Sequence, residues 1–229
     1  PVVLQPGAHV VKPIQQQGST CLSAAVYASI RWLEEKINVD TLIENGQAGY
    51  DRLKGLLHPV VPQYQQPGSY KQAELLKKFV NENLASCLTA DFDSTWGTNP
   101  TCQSIKANFD NGCDIPLQLQ CDASAGSTNE AIGHGVDVVD IQIDPNNPDK
   151  CTITFANSWS PGAGQLAGPD TDGFKGGVYE EAVYDNSDSS FRVNPAPWWP
   201  FNNNCYIFIA NYICVDMESM CPLIGVPYQ

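Results

Sequence analysis

The sequence predicts an α+β protein in two lobes with a cleft between them. Apolar residues recur at helical spacing through most of the first half, and after Gly112 the pattern changes to short alternating runs separated by turns. Helices grouped first and antiparallel strands grouped second give segregated layers rather than repeated βαβ units. The length of 229 residues suits one domain, 1–229, with residues 13–112 as a helical lobe and 113–229 as a β-rich lobe.

Each element has its own signal. The first twelve residues read as an extended arm. Val2, Val3, Val10 and Val11 favour extended backbone, while Pro6-Gly7 and Pro13 break any helix. A polar loop, Gln15-Gln16-Gln17-Gly18-Ser19, then leads into a helix that opens near Cys21 and ends near Lys36. Its apolar stripe is Leu22, Ala25, Val26, Ala28, Ser29, Ile30, Trp32 and Leu33, with Arg31, Glu34, Glu35 and Lys36 at the margin. Helices are expected over 48–57 and 70–84, separated by a turn-rich loop over 59–68, and a short one over 101–109. The 70–84 helix carries Leu75, Leu76, Phe79, Val80 and Leu84 on one face.

In the second half, 115–121 alternates as a strand does. Residues 136–143 and 151–156 read as a hairpin around the turn at Asp144–Asp149. A Gly-rich loop over 162–177 precedes a candidate strand at 178–183, and 205–215 is a strong late strand. Residues 185–204 read as a long surface loop, with Trp198, Trp199, Pro200 and Phe201 as one wall of a cleft.

Charge narrows the partners. Twelve Lys and Arg against 25 Asp and Glu give −13, which disfavours nucleic acid and anionic membranes. No run of about 18 apolar residues is present to span a bilayer. No basic and apolar leader pattern stands at Pro1, so the chain reads as a mature one. Nine cysteines without a C-x-x-C argue for disulfides in a secreted protein rather than a zinc site, and no metal or cofactor is expected. The odd count leaves at least one thiol over. If that is Cys21, the other eight can form four bridges, although parity does not choose which cysteine is free.

Cys21 is the natural nucleophile. A thiol at the start of a helix sits at the positive end of the dipole, which favours thiolate and lowers its pKa. It needs a base, and the base needs an orienting partner. Of the three histidines, His9 lies in the arm and His58 in a loop before Pro59. His134 lies between Gly133 and Gly135 at a strand entry, where glycine permits close approach of other chain. Counting back from a turn centred near Asn147 puts Asn157 opposite residue 137, about 10 Å along the strand from His134. A bulge at Val138-Val139-Asp140, where alternation breaks, would shorten that gap and let Asn157 fix the imidazole tautomer. Trp159 would then shield the bond from water. Asp137 and Asp140 are a conceivable carboxylate pair for glycoside chemistry, but the commoner reading is solvated strand charges. Gly162–Gly168 has no Lys and no following helix, so a phosphate loop is disfavoured.

Together these residues resemble the papain-like cysteine peptidases. The resemblance rests on Gln before Cys21 at a helix start, His134-Gly135-Val136 entering a strand, Asn157-Ser158-Trp159 ending the next, and the later Gly177-Val178-Tyr179 strand. It covers about residues 13–36 and 130–183. It implies a papain-like fold, Cys21 as nucleophile, His134 as base and then acid, Asn157 as orienter, and a glutamine for the oxyanion. Spacing selects Gln15 for that last role, while the local string favours Gln17. The implied activity is a secreted hydrolase acting on peptide or protein through a thioester. Departures are Leu22, where the family has Trp after the cysteine, and Gly133, where it has Asn or Asp before the histidine. An acyl transferase or deamidase on the same scaffold, or an inactive binding or toxin module, is the alternative.

Overall fold

The computed structural model describes residues 2, 4–39, 41–58, 69–84, 87–121, 132–159, 170–193 and 205–216. Its elements are α1 (Cys21–Ile37), α2 (Gln47–Leu57), α3 (Ser69–Phe79, continuing into a π-helical turn at Val80–Leu84), β1 (Leu88–Ser94) and α4 (Cys102–Asp110). Then come β2 (Cys113–Asp114), β3 (Pro116–Cys121), β4 (Ile132–Asp144), β5 (Asn147–Asn157), β6 (Val178–Asp185), β7 (Ser190–Val193) and β8 (Cys205–Val215). The protein is thus α+β, with an antiparallel sheet. Two strands depart from expectation. β1 lies inside the stretch expected to be helical, and β7 lies inside the expected surface loop. β1 is held by β8, distant in sequence, and β7 by its hairpin partner β6 and by β8. The loops over 59–68 and 162–168 and the Trp198–Trp199 pair lie outside the described residues.

The strand order is β1-β8-β3-β4-β5-β6-β7, with β2 also on β8. β7 pairs back onto β8 through Ser190↔Tyr206 and Phe191↔Cys205, so the six strands from β8 to β7 close into a ring. Closure removes the free edges that an open sheet exposes. The ring's core includes Leu117, Val138, Ile153, Phe155, Tyr184 and Phe191, with Ile105 and Phe109 of α4 joining it. A second core joins α1, α2 and α3 through Tyr27, Ile30, Leu33, Tyr50, Leu53 and Leu76.

α1 stands between these cores and is buried on nearly every side, including Ala24, Ala25, Ala28 and Ser29. Those small residues explain why it exceeds the single apolar stripe expected: they let β4 come close on a second face. Arg31 and Glu34, expected at an exposed margin, are buried or nearly so. Arg31 clamps Glu34 at 2.5 Å and the Asp172 carboxylate at 3.1 Å. Asn38 ends the helix in the left-handed region, φ 54°, its N–H bonded to the Glu34 carbonyl.

The arm is tied to both halves. The His9 N–H bonds to the Val139 carbonyl at 2.8 Å, Gly177 N–H to Pro13, and Gln15 N–H to Lys175. Disulfides reinforce the ring. Cys113–Cys214 and Cys121–Cys205 cross between neighbouring strands, and Cys102–Cys151 ties α4 to β5. Cys87 is also disulfide-bonded, and Cys221 lies outside the described residues.

One register detail positions everything that follows. After an irregularity beside the turn, between Ile143 and Asp144, the β4–β5 pairing from Ile143↔Cys151 to Asp140↔Thr154 runs as expected for a turn centred near Asn147. The next pair is Val138↔Phe155, which leaves Val139 as an extra residue. Asn157 therefore falls opposite Val136 instead of residue 137. Side chains alternate along a strand, so this one-residue shift also carries Asn157 onto the same face as His134.

Candidate active site

The loop before Cys21 is shaped by a hydroxyl from another helix. The Gln17 N–H donates to Tyr50 Oη at 3.1 Å, and Tyr50 Oη lies 2.6 Å from Thr20 Oγ1, which itself donates to the Gln17 carbonyl. Thr20 makes no side-chain cap to α1 because its hydroxyl is spent on this turn. Gly18 supplies the positive φ of 62° the turn requires.

Cys21, the first residue of α1, is the free cysteine among those described. It meets β4 at Gly135, the residue after His134. A Cβ at Gly135 would lie 2.7 Å from Leu22 Cα and 2.8 Å from Leu22 N, so only hydrogen fits. The backbone N–H groups of Gly135, Leu22 and Cys21 converge on the sulfur and favour thiolate. Burial outweighs them, and the Cys21 thiol is pushed up. The expectation of a depressed thiol pKa is thereby corrected: the residue as a whole is partly exposed, but desolvation of its sulfur exceeds what the helix start supplies.

His134 and Asn157 are joined directly. His134 Nε2 and Asn157 Oδ1 are 2.8 Å apart, and both residues are buried. The Trp159 N–H donates to the same oxygen at 3.2 Å, and the Trp159 ring stands edge-on to the imidazole at 5.7 Å between centroids. Asn157 Nδ2 donates to Glu180 Oε2 at 2.6 Å. Burial lowers the His134 pKa to about 4, with the Asn157 bond opposing, and raises that of Glu180 to about 7. Both shifts favour the neutral forms at neutral pH, a thiol at Cys21 and an uncharged imidazole at His134. No protein-family model matches the chain, and no curated protein matches it.

The glutamines separate by partner. The Gln16 amide donates to the Gly18 carbonyl and accepts from Ser158 Oγ. The Gln17 amide is paired reciprocally with Gln47 at 2.7 and 2.9 Å. Gln15 makes no side-chain hydrogen bond among the described residues. The other histidines serve elsewhere. His58 lies at the end of α2 near Gln72. His9 is sandwiched between Trp32 and Phe109, at 4.0 and 3.8 Å, and bonds Asp114 at 3.0 Å.

Asp137 and Asp140 are both buried, which corrects their reading as solvated strand charges. Asp137 faces Asp114, and neither of its oxygens finds a donor of good geometry among the described residues. Burial first, and the Asp114 charge second, push the Asp137 carboxyl well up. Retained, its proton can bridge the two acids.

Two site residues were missed from sequence. Glu180 had a signal: it falls in phase with Val178, Ala182 and Tyr184, the inward-facing residues of β6. An acid at such a position is a flag. Tyr50 had none, since an aromatic on a helix reads as core. Among the described residues no group of three metal-ligating side chains occurs and no helix is long and apolar enough to cross a membrane.

Proposed function

We propose that this protein is a secreted, papain-like cysteine hydrolase acting on peptide or protein amide bonds. The observation that carries the reading is the buried His134–Asn157 hydrogen bond on a strand whose next residue, Gly135, touches the helix start bearing the free thiol. The three disulfides between described residues support the secreted setting.

Asn157 Oδ1 accepts from Nε2–H, so His134 Nδ1 carries the lone pair that acts as base. Because the thiol starts protonated, His134 takes its proton as sulfur attacks the carbonyl carbon. The C–S bond forms, and the carbonyl pair moves onto oxygen. Donors for that oxyanion are the Cys21 backbone N–H and the Gln15 amide, since the Gln16 and Gln17 amides are committed elsewhere. His134 then returns the proton to the amine nitrogen as the C–N bond breaks. Water, losing a proton to His134, attacks the thioester, and the thiol is regained with release of the acid.

The test is alkylation and product analysis. Iodoacetamide should modify Cys21 alone in the unreduced protein and abolish hydrolysis of a denatured protein substrate, as should Cys21→Ala. An added primary amine should give little adduct, whereas a transferase would give mainly adduct. Hydrolysis that survives Cys21→Ala would overturn the reading.

A further inference from the structure

Glu180 is a buried acid without a cation. It is 5% exposed, and no Lys, Arg or His pairs with it among the described residues. Its hydrogen-bond partner is the Asn157 amide nitrogen, at 2.6 Å. A carboxylate held this way is costly, and a Leu or Gln of similar size would pack at less cost. Burial pushes its pKa to about 7, a further sign of that cost. Buried titratable groups beside a candidate site are where function is sought first.

The geometry says what Glu180 does. An asparagine amide can sit either way round, and the two orientations offer opposite chemistry to a neighbour. Here the oxygen receives two N–H donors, His134 Nε2 and the Trp159 backbone, while the nitrogen faces the carboxylate. Turning the amide over would put its N–H against the Trp159 N–H and its oxygen against the Glu180 oxygen. Both contacts would be repulsive. Once ionised, above its pKa of about 7, Glu180 accepts and does not donate, so the carboxylate form enforces this one orientation.

We propose that Glu180 is the positioning residue of this site, locking the Asn157 amide so that His134 is held as the Nε2–H tautomer with Nδ1 as base. It touches neither thiol nor substrate and acts through Asn157. The proposal rests on the hydrolase reading for its meaning in catalysis, but its central claim concerns a tautomer and is measurable without turnover.

The experiment uses the full chain with 15N-labelled histidine. The His134 ring shifts give the tautomer, the iodoacetamide rate gives Cys21 reactivity, and thermal melting gives stability. In the wild type, His134 should be the Nε2–H form. In Glu180→Leu, a mixed population should appear and alkylation at Cys21 should slow about tenfold or more, with little change in melting temperature, because relief of the buried charge offsets the Asn157 N–H left without its acceptor. Glu180→Gln retains an acceptor and should rescue both tautomer and rate. An Nδ1–H tautomer in the wild type overturns the proposal without any variant. So does a Glu180→Leu protein with wild-type tautomer and rate, or a Glu180→Gln protein as impaired as Glu180→Leu. If the tautomers move as stated while no peptide is cleaved, the positioning role stands and the hydrolase reading falls.

Discussion

Gly135 and Leu22 are in backbone contact: a methyl group on Gly135 would lie 2.7 Å from Leu22 Cα. This is the point at which the ring of strands meets the first turn of α1, and it fixes how near His134 can be to Cys21. The contact is with backbone, so no side-chain rotation can relieve an added carbon. Gly135→Ala must therefore separate β4 from α1. A loss of about 1–3 kcal/mol in denaturant unfolding is expected from such overpacking, with a slower Cys21 alkylation rate. A variant of unchanged stability and rate would show that the contact does not set the spacing.

Asn157→Ala should be worse than its hydrogen-bond count suggests. It leaves His134 without its acceptor and strands the Glu180 carboxylate without a donor. An unsatisfied buried group costs about 1–3 kcal/mol. Adding Glu180→Leu to Asn157→Ala should recover stability but not Cys21 reactivity. The two readouts separate the structural debt from the catalytic one, and additive losses in unfolding would contradict the coupling.

Cys21 should behave as a buried thiol and not as a preformed thiolate. Burial raises the thiol and lowers His134 to about 4, so both partners are neutral near pH 7. The alkylation rate should keep rising as the solution becomes alkaline. A rate already at its plateau in mildly acid solution would indicate a standing thiolate–imidazolium pair and contradict the burial argument.

Asp137 predicts a pH dependence of stability. Its folded pKa lies well above the ordinary carboxylate value near 3.8 because it is buried beside Asp114. A raised folded pKa means that the folded state binds the proton more tightly. The contribution is complete below about pH 3.8 and is lost as pH climbs through the raised value. Asp137→Asn mimics the protonated acid and does not titrate. Its stability relative to wild type should therefore increase between about pH 4 and about pH 8, measured by urea unfolding at each. A difference that stays flat would mean that Asp137 is not the proton-sharing partner of Asp114.

Much of this was legible in the chain itself. Helix periodicity located α1 from Cys21 to within a residue of its end, and β8 was placed at 205–215. Broken alternation at Val138-Val139-Asp140 pointed to the bulge. These are local signals: spacing, turn residues, and phase along one element. β1 and β7 were not legible: β1 owes its state to β8, far along the chain, and β7 is only four residues long and is held by β6 and β8. Asp137 and Asp140 were misread because a charge on an alternating strand looks solvated until the covering layer is known.

The order of Cys21, His134 and Asn157, and the helix and strands that carry them, followed from sequence alone. Tertiary structure decided that one extra residue, Val139, turns Asn157 to the face of His134. It also decided that Glu180 stands behind Asn157 and that desolvation overrides the helix start at Cys21. Period and propensity act within about ten residues of chain. Register, burial and the orientation of an amide depend on which distant segments close around it, and no local pattern encodes that.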